Sequence, residues 1–298
     1  MKHIVVLGST NTDMVVTGQK IPVPGETVTG GRFLMNPGGK GANQAVAVAR
    51  LASEDTRCVF IAKVGDDLFG SDSRARFESD GIVPRLIVDP ETPSGVAVIM
   101  VDAQGQNCIS VALGANGTLV PADVEPHRAE IESASALLMQ LETPLETVLY
   151  AAKAAHAKGV PVILNPAPAR ELPAELYAQL DWITPNETEA ELLTGVKVVD
   201  EASAAEAARV LKDRGVGHVI VTMGSAGCWC EGMHPSVPVK AVDTTAAGDT
   251  FNGAFVAALC EGRAVDDALA FASKAAAISV TRPGAQSSVP HRRELSGD

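Results

Sequence analysis

Short apolar runs recur along this 298-residue chain, at residues 4–8, 59–64, 137–141, 160–164, 182–184 and 219–222. A strand that is apolar along its whole length must be covered on both faces. Parallel sheets wrapped by helices provide that cover, and half-solvated antiparallel sheets do not. Alanine-rich helical stretches lie between the runs, at about 40–52, 69–80, 121–134, 144–158, 187–194, 201–214, 248–261 and 264–281, and they supply the crossovers such a sheet needs. The pattern predicts an α/β fold, with a mainly parallel central sheet sandwiched by helices in Rossmann-like layers. Pro121 and Pro144 suit first helical turns, and Gly81, Gly159 and Gly195 suit C-terminal caps.

Two segments interrupt the rhythm. Residues 14–36 mix Gly, Pro and Thr with short alternating runs. Residues 95–112 hold alternating runs at 96–101 and 108–112, joined by Asp102, Ala103, Gln104 and Gly105, which reads as a β-hairpin. Together they predict a small sheet standing off the α/β body as a lid. Nothing resembles a linker, so residues 1–298 are expected to form one domain.

Composition excludes several classes of function. Lys and Arg number 24 against 36 Asp and Glu, a net charge of −12, which disfavours nucleic-acid binding. Aromatic residues are 4% of the chain, too few for a platform that stacks single strands. The run after Met1, Lys2 and His3 is too short for a signal-peptide core, and no stretch approaches the roughly 18 apolar residues of a membrane span, so a cytoplasmic protein is expected. Five cysteines, Cys58, Cys108, Cys228, Cys230 and Cys260, read as reduced core thiols. Cys228 and Cys230 flank Trp229 at strand spacing and should share one face. The histidines form no zinc-binding pattern.

Chemistry concentrates where apolar runs give way to helices. Val242-Asp243-Thr244-Thr245-Ala246-Ala247-Gly248-Asp249-Thr250 leads small residues straight into a helix. The first N–H groups of a helix lack internal partners and face the positive end of its dipole, which suits a phosphate. Asp249 would stand in that first turn, although an aspartate there also serves as an ordinary cap. Pro37-Gly38-Gly39-Lys40-Gly41-Ala42-Asn43-Gln44-Ala45 also runs into a helix. It lacks P-loop spacing, but Lys40 and Asn43 fall on one helical face and could serve a polyhydroxyl ligand. Asn11 and Asp13 follow the first strand, at the carboxyl end where open α/β sheets bind ligands. Asn186, Glu187 and Glu189, after Pro185, and the glycine-rich Thr222-Met223-Gly224-Ser225-Ala226-Gly227 also end apolar runs.

Taken together, Gly38-Gly39-Lys40-Gly41-Ala42-Asn43 and Asp243-Thr244-Thr245-Ala246-Ala247-Gly248-Asp249 resemble the two signatures of the ribokinase-like carbohydrate kinases. Asn11-Thr12-Asp13, Pro24-Gly25-Glu26-Thr27, Leu138-Met139-Gln140-Leu141-Glu142, Asn165-Pro166-Ala167-Pro168-Ala169, Pro185-Asn186-Glu187 and Gly284-Ala285-Gln286 extend the resemblance, in order, over essentially the whole chain. The resemblance implies ATP-dependent phosphorylation of D-ribose at its 5-hydroxyl, with Asp249 as catalytic base and Ala246, Ala247 and Gly248 beside it in an anion hole. It implies sugar contacts from Asn11, Asp13, Gly39, Lys40, Asn43, Glu142 and Asp249. Nucleotide contacts follow for Asn186, Glu189, Thr222, Gly224, Ser225, Gly227 and Gly248, with Ser273 standing where the family places a larger polar residue near adenine. It further implies Mg2+ arriving with ATP, K+ as activator held by Asp243, Thr245, Ser279, Arg282, Gly284 and Ser288, and a homodimer formed through the lid.

Physical chemistry is compatible with those roles. In-line phosphoryl transfer depends on positioning and charge neutralisation more than on a strong base. A free aspartate titrates near about 3.9, and a helix start favours its ionised form. Ala246 stands where the wider family has glycine; since alanine disfavours left-handed backbone, a right-handed or extended conformation is expected there. Two other functions compete: a sister kinase for another sugar, such as 2-deoxyribose, and a catalytically silent sugar-binding module. Lys40, Asn43 and Glu142 favour a small polar sugar, and an intact Asp249 argues against a silent module.

Overall fold

The computed structural model describes residues 2–295; Met1 and residues 296–298, the ends of the expected domain, lie outside that range. The central sheet has seven strands: β1 (Lys2–Leu7), β4 (Thr56–Gly65), β5 (Val83–Asp89), β8 (Ala136–Met139), β9 (Val162–Leu164), β10 (Trp182–Ile183) and β11 (His218–Val219). Their order is β11-β10-β9-β8-β1-β4-β5, with every neighbouring pair parallel. Successive side chains point to opposite faces and both faces are covered. Val5, Leu7, Ile61, Leu137 and Met139 enter one apolar core, while Ile4, Val6, Phe60, Leu138 and Ile163 enter the other. Burying each such side chain contributes about 1.5–3 kcal/mol, which is why these runs tolerate no polar residue mid-strand.

The strand β5 was not foreseen. Its sequence opens Val-Pro-Arg, and proline is confined to sheet edges; β5 is the edge, and Arg85 turns out to pair with Glu130 at 2.6 Å. The run 219–222 does not form one strand. It divides after Val219, and Val221–Thr222 (β12) joins Cys228–Trp229 (β13) and Met233–His234 (β14) in a separate antiparallel sheet. Cys228 and Cys230 face one core and Trp229 the other, as their spacing requires, although only Cys228 and Trp229 lie in the sheet. The helix expected over 121–134 breaks into Pro121–Val124, a 3-10 turn Glu125–His127 and Arg128–Glu132, because Pro126 offers no N–H to continue the ladder; Glu125 stays helical and the backbone departs at His127, φ −102° and ψ 4°. All five cysteines are free; Cys108, however, is exposed on a strand of the small sheet and is no core thiol, while the half-buried Cys260 packs against the edge of one core.

A four-stranded sheet stands off this body, in the order β3-β2-β6-β7, from Asn11–Thr17 (β2), Arg32–Gly38 (β3), Gly95–Val101 (β6) and Asn107–Ala112 (β7). The hairpin β6–β7 is antiparallel and turns at Asp102–Gly105, while β2 and β6 run parallel. The sheet begins at Asn11, three residues before the expected start of the segment, so Asn11 and Asp13 lie at its junction with β1. Strand order reverses between β1 and β8: the chain leaves β1 toward β4 and β5, then returns to β8 and proceeds to β9, β10 and β11. The crevice at the carboxyl ends of such a pair is where open α/β sheets bind ligands. Among the described residues no helix is long and apolar enough to cross a membrane.

Candidate active site

Asp249 lies in the first turn of the helix Ala247–Cys260 and is 6% exposed. Its Oδ2 accepts a hydrogen bond from Asn43 Nδ2 and its Oδ1 one from Gln44 Nε2, each at 2.9 Å. Both donors belong to the helix Lys40–Leu51. The two helices approach closely because their contact residues are small. A Cβ added to Gly253 would lie 2.5 Å from the Ala47 Cβ and 2.9 Å from the Gln44 carbonyl oxygen. Burial raises the Asp249 carboxyl above its ordinary range; the Lys40 ammonium and the two amide donors oppose the rise, and Glu142 adds to it. Desolvation thus outweighs the helix-start effect, and Asp249 is a better proton acceptor than an exposed aspartate.

The turn into this helix corrects one expectation. Ala246 adopts left-handed backbone, φ 59° and ψ 14°. The chain must reverse from the loop into the helix within a Thr244–Ala247 turn, closed by Ala247 N–H donating to Thr244 O at 3.2 Å. A left-handed residue makes that reversal, at a strain of about 1–2 kcal/mol for alanine. Since the Ala247 N–H is engaged, the amides of Gly248 and Asp249 are the first-turn donors without a backbone acceptor among the described residues. Gly248 has no positive φ, and a Cβ built on it meets nothing within 4 Å. Neither packing nor conformation calls for glycine there; open space in front of the helix start does.

At the β1–β8 crevice, Glu142 Oε2 accepts from Ser9 Oγ at 2.5 Å and from the Lys40 amide at 2.9 Å. The Lys40 ammonium faces Asp249, Glu142 and Glu189: burial pulls its pKa down, but the three carboxylates outweigh burial and hold it above its usual value. Asn11 Oδ1 accepts from Asn116 Nδ2 at 2.8 Å. Asp13 pairs across the strands with Asn36 and lies against Gly38, where a Cβ would come within 2.3 Å of its Oδ2. Burial, with the Glu142 charge second, raises Asp13 to about 6. Gly39 precedes the helix with φ 91°, and a Cβ there would meet the Asn11 amide nitrogen at 2.8 Å.

Asp249 also lines a cleft of about 710 Å³. Lys40, Asn186, Glu189, Thr222, Gly224, Ser225, Gly227, Gly248, Asp249 and Ser273 all line it, which unites the expected nucleotide residues in one cavity. Asn186 caps the helix Glu187–Thr194: its Oδ1 accepts the Glu189 N–H at 2.8 Å, and Glu189 Oε2 accepts the Asn186 N–H at 2.9 Å. Capping and lining the cleft are therefore not alternatives here. Burial raises the Glu189 carboxyl; the Asn186 amide and the Lys40 ammonium oppose that, and Asp249 and Glu187 reinforce it.

The expected cation ligands are only partly gathered. Asp243 Oδ1 accepts from the Thr245 N–H at 2.9 Å and Oδ2 from the Gly284 N–H at 2.8 Å. Its own N–H and that of Val242 bond Val280 O, which ties the loop to the end of the helix Val265–Ser279. Burial pushes the Asp243 carboxyl up, but the Thr245 hydroxyl and the Gly284 and Thr245 amides outweigh it and hold it low. Arg282 turns its guanidinium to Glu294, so only its main chain is available to a cation. Ser279 and Ser288 are buried, and the Ser288 hydroxyl and amide bond Ala285 O. The oxygen-only donor set suits a monovalent hard cation, and the Glu189 carboxylate at the cleft suits a divalent ion that carries most of its ligands with it.

Sequence reasoning missed a group of buried polar side chains behind Asp249. Gln44, Gln140, Asn165, Thr184 and Asn252 all stand at strand carboxyl ends or on the two packed helices. Gln44, Gln140 and Asn165 fall within sequence motifs already noted, and their position after apolar runs is a further signal, but residue order does not show that they bond one another.

Residues 1–292 match the model of the pfkB family carbohydrate kinases. The chain is 46% identical to ribokinase of Haemophilus influenzae, over 98% of this chain and 97% of that one. It is 40% identical to deoxyribokinase of Salmonella typhimurium, over 96% and 95% of the two chains. The solved structure of Arabidopsis thaliana ribokinase complexed with ribose and ATP superposes with a TM-score of 0.91 at 33% identity, covering 99% of this chain and 97% of that one.

Proposed function

The chain belongs to the pfkB family of carbohydrate kinases, and from that premise we propose that it acts as a ribokinase, transferring the γ-phosphoryl group of ATP to the 5-hydroxyl of D-ribose. One observation carries the reading: the buried carboxylate of Asp249 lines a cleft large enough for a nucleotide, and the charges of Lys40 and Glu142, the latter also acting on Asp13, bear on it. The relatives named above supply the pair of substrates.

Ribose is held by Asn11, Asp13, Gly39, Lys40, Asn43 and Glu142, with the 5-hydroxyl at Asp249. The nucleotide occupies the cleft along Asn186, Glu189, Thr222, Gly224, Ser225, Gly227 and Ser273. Asp249 orients the hydroxyl and takes its proton as the sugar oxygen bonds the γ-phosphorus and the bond to the β-phosphate oxygen breaks, releasing ADP. The amides of Gly248 and Asp249, in the turn built by Ala246 and Ala247, receive the charge on the moving group, and Lys40 adds a fixed positive charge. Mg2+, held by phosphates, water and the Glu189 region, would neutralise phosphate charge. K+, held by Asp243 and by main-chain oxygens of Thr245, Ser279, Arg282, Gly284 and Ser288, would stiffen the loop behind the anion hole. The four-stranded sheet serves as a lid that keeps water out. Its exposed Phe33, Leu34, Met35, Ile109 and Val111 form the surface through which two copies pair. The free cysteines fit a cytoplasmic chain.

ADP release from Mg-ATP, measured with and without D-ribose and in K+ or a large organic cation, tests the reading. Ribose-dependent turnover that rises with K+ and collapses in Asp249→Asn is expected. Turnover with 2-deoxyribose and none with ribose would move the chain to the sister activity. Ribose binding with no turnover on any sugar would overturn the enzyme reading.

A further inference from the structure

Resting on the kinase reading above, we propose that Gln44, locked in one orientation by Gln140 and Asn165, is a positioning residue that aims the Asp249 carboxylate at the acceptor hydroxyl.

The inference comes from the polarity of a buried hydrogen-bond chain. Gln44 Nε2 donates to Asp249 Oδ1 at 2.9 Å and to Asn165 Oδ1 at 3.1 Å. Gln44 Oε1 accepts from Gln140 Nε2 at 2.5 Å. A primary amide has two N–H donors, and both are used here. Turned over, Gln44 would set its oxygen against the Asp249 carboxylate and the Asn165 oxygen, and its N–H groups against those of Gln140. The chain cannot reverse as a whole, because Asn165 Nδ2 donates to a main-chain acceptor, Thr184 O, at 3.1 Å. A second branch leaves the same residue. Thr184 Oγ1 donates to Asn252 Oδ1 at 2.6 Å, and Asn252 Nδ2 donates to Gly248 O at 2.8 Å. Thr184 therefore anchors both the carboxylate and the peptide that precedes it.

Gln140 serves this chain through its donor, Nε2, which holds Gln44 Oε1. Its own Oε1 is buried with no hydrogen-bond partner among the described residues, in space left by Gly8, where a Cβ would come within 2.0 Å of that oxygen. An apolar residue of similar shape would remove the unpartnered acceptor, yet it would also remove the donor that fixes Gln44. Gln140 is thus a residue placed for the sake of Gln44, and Gln44 for the sake of Asp249.

The test is a cycle of Gln44→Met, Gln140→Met and the double variant, with kcat and KM for the sugar measured separately. Misplacing a reacting group by about 1 Å costs on the order of 10²-fold, so kcat should fall about 100-fold in Gln44→Met and about tenfold in Gln140→Met. The KM for ribose should stay within about threefold, and the double variant should be no worse than Gln44→Met alone. A kcat within threefold of wild type in Gln44→Met, or losses that multiply in the double variant, would overturn the proposal. Gln140→Met removes one unpartnered buried oxygen and leaves another, Gln44 Oε1, so the number of orphaned acceptors is unchanged; it is expected to fold and keeps the test open should Gln44→Met misfold. A second readout needs no turnover: the carbon-13 carboxyl resonance of Asp249, assigned by its loss in Asp249→Asn. It should move in Gln140→Met, a residue that does not touch Asp249; an unmoved resonance would overturn the relay. If the wild type phosphorylates no sugar, the kinase reading fails while this resonance still decides the relay.

Discussion

Asn43 Nδ2 lies 2.9 Å from Asp249 Oδ2 although 206 residues of chain separate them. The contact exists because the helices Lys40–Leu51 and Ala247–Cys260 meet over Ala47 and Gly253 with no room for another carbon. The helix that carries Lys40, Asn43 and Gln44 and the helix that carries Asp249 are thereby held together at a distance set by a glycine.

Gly253→Ala should push that pair apart. Alanine adds about 1 kcal/mol of helix propensity, and overpacking removes about 1–3 kcal/mol. The expected net loss is up to about 2 kcal/mol, read by denaturant unfolding. Turnover should fall more than this modest loss suggests, because both amide donors move off Asp249. Wild-type kcat in a folded Gly253→Ala protein would count against the close approach as the positioning device.

Gly248→Ala should separate stability from activity. The position is helical and its Cβ direction is empty, so folding should be unchanged or improved by up to about 1 kcal/mol. The new methyl stands in front of the helix start, where a phosphoryl group would sit. A fall in kcat at least tenfold, with an unchanged or raised midpoint of thermal unfolding, is the expected pair of results; unimpaired turnover would show that the space serves no ligand.

Ala246 carries strain that glycine would relieve. Left-handed alanine costs about 1–2 kcal/mol, and glycine loosens the unfolded chain by about 0.4–1 kcal/mol. Ala246→Gly should therefore be neutral or stabilised by about 1 kcal/mol, with near-normal turnover. Ala246→Val, branched at Cβ, should lose both stability and activity. A glycine variant that unfolds more easily than wild type would contradict the observed φ of 59°.

Asp13 should make stability and sugar affinity respond oppositely to pH. Its folded pKa is raised from 3.8 to about 6, by burial first and Glu142 second. Such a carboxyl holds its proton more tightly folded than unfolded. Its contribution to stability is intact below about pH 4 and is lost as pH rises toward and through about 6. Asp13→Asn should thus match wild type in thermal unfolding below about pH 4 and exceed it increasingly between about pH 4 and pH 6, the difference levelling off above that. If Asp13 accepts from ribose hydroxyls as proposed, ribose affinity should weaken in wild type below about pH 6 and be poor in Asp13→Asn throughout. Parallel melting curves at all pH values would show that Asp13 is not perturbed.

Much of this molecule is legible in its residue order. Apolar runs without polar interruption forced a parallel sheet covered on both faces, and that sheet is present, with β1 and β8 flanking the crevice. The hairpin after Gly95 and the helix starts at Lys40 and at Ala247 follow from alternation and from small residues before alanine-rich stretches. The strand β5 was hidden because an edge strand does not have to be apolar, and Pro84 and Arg85 broke its pattern. The helix at 121 broke at Pro126, a breaker inside an otherwise helical stretch.

What the sequence determined by itself is what local chemistry can specify: which segments bury both faces, where helices start, and that Asp249 stands in a first turn. Tertiary structure alone decided that Asp249 is desolvated, that Asn43 and Gln44 are its donors, and that Gln140, Asn165 and Thr184 fix the sense of the hydrogen bonds behind it. The left-handed Ala246 belongs to the same class, since a lone alanine prefers otherwise and only the surrounding turn makes it adopt φ 59°. The physical reason is common to all of these. Burial, and the partner of a polar group, are properties of the space around a side chain, and that space is filled by residues about a hundred or two hundred positions away.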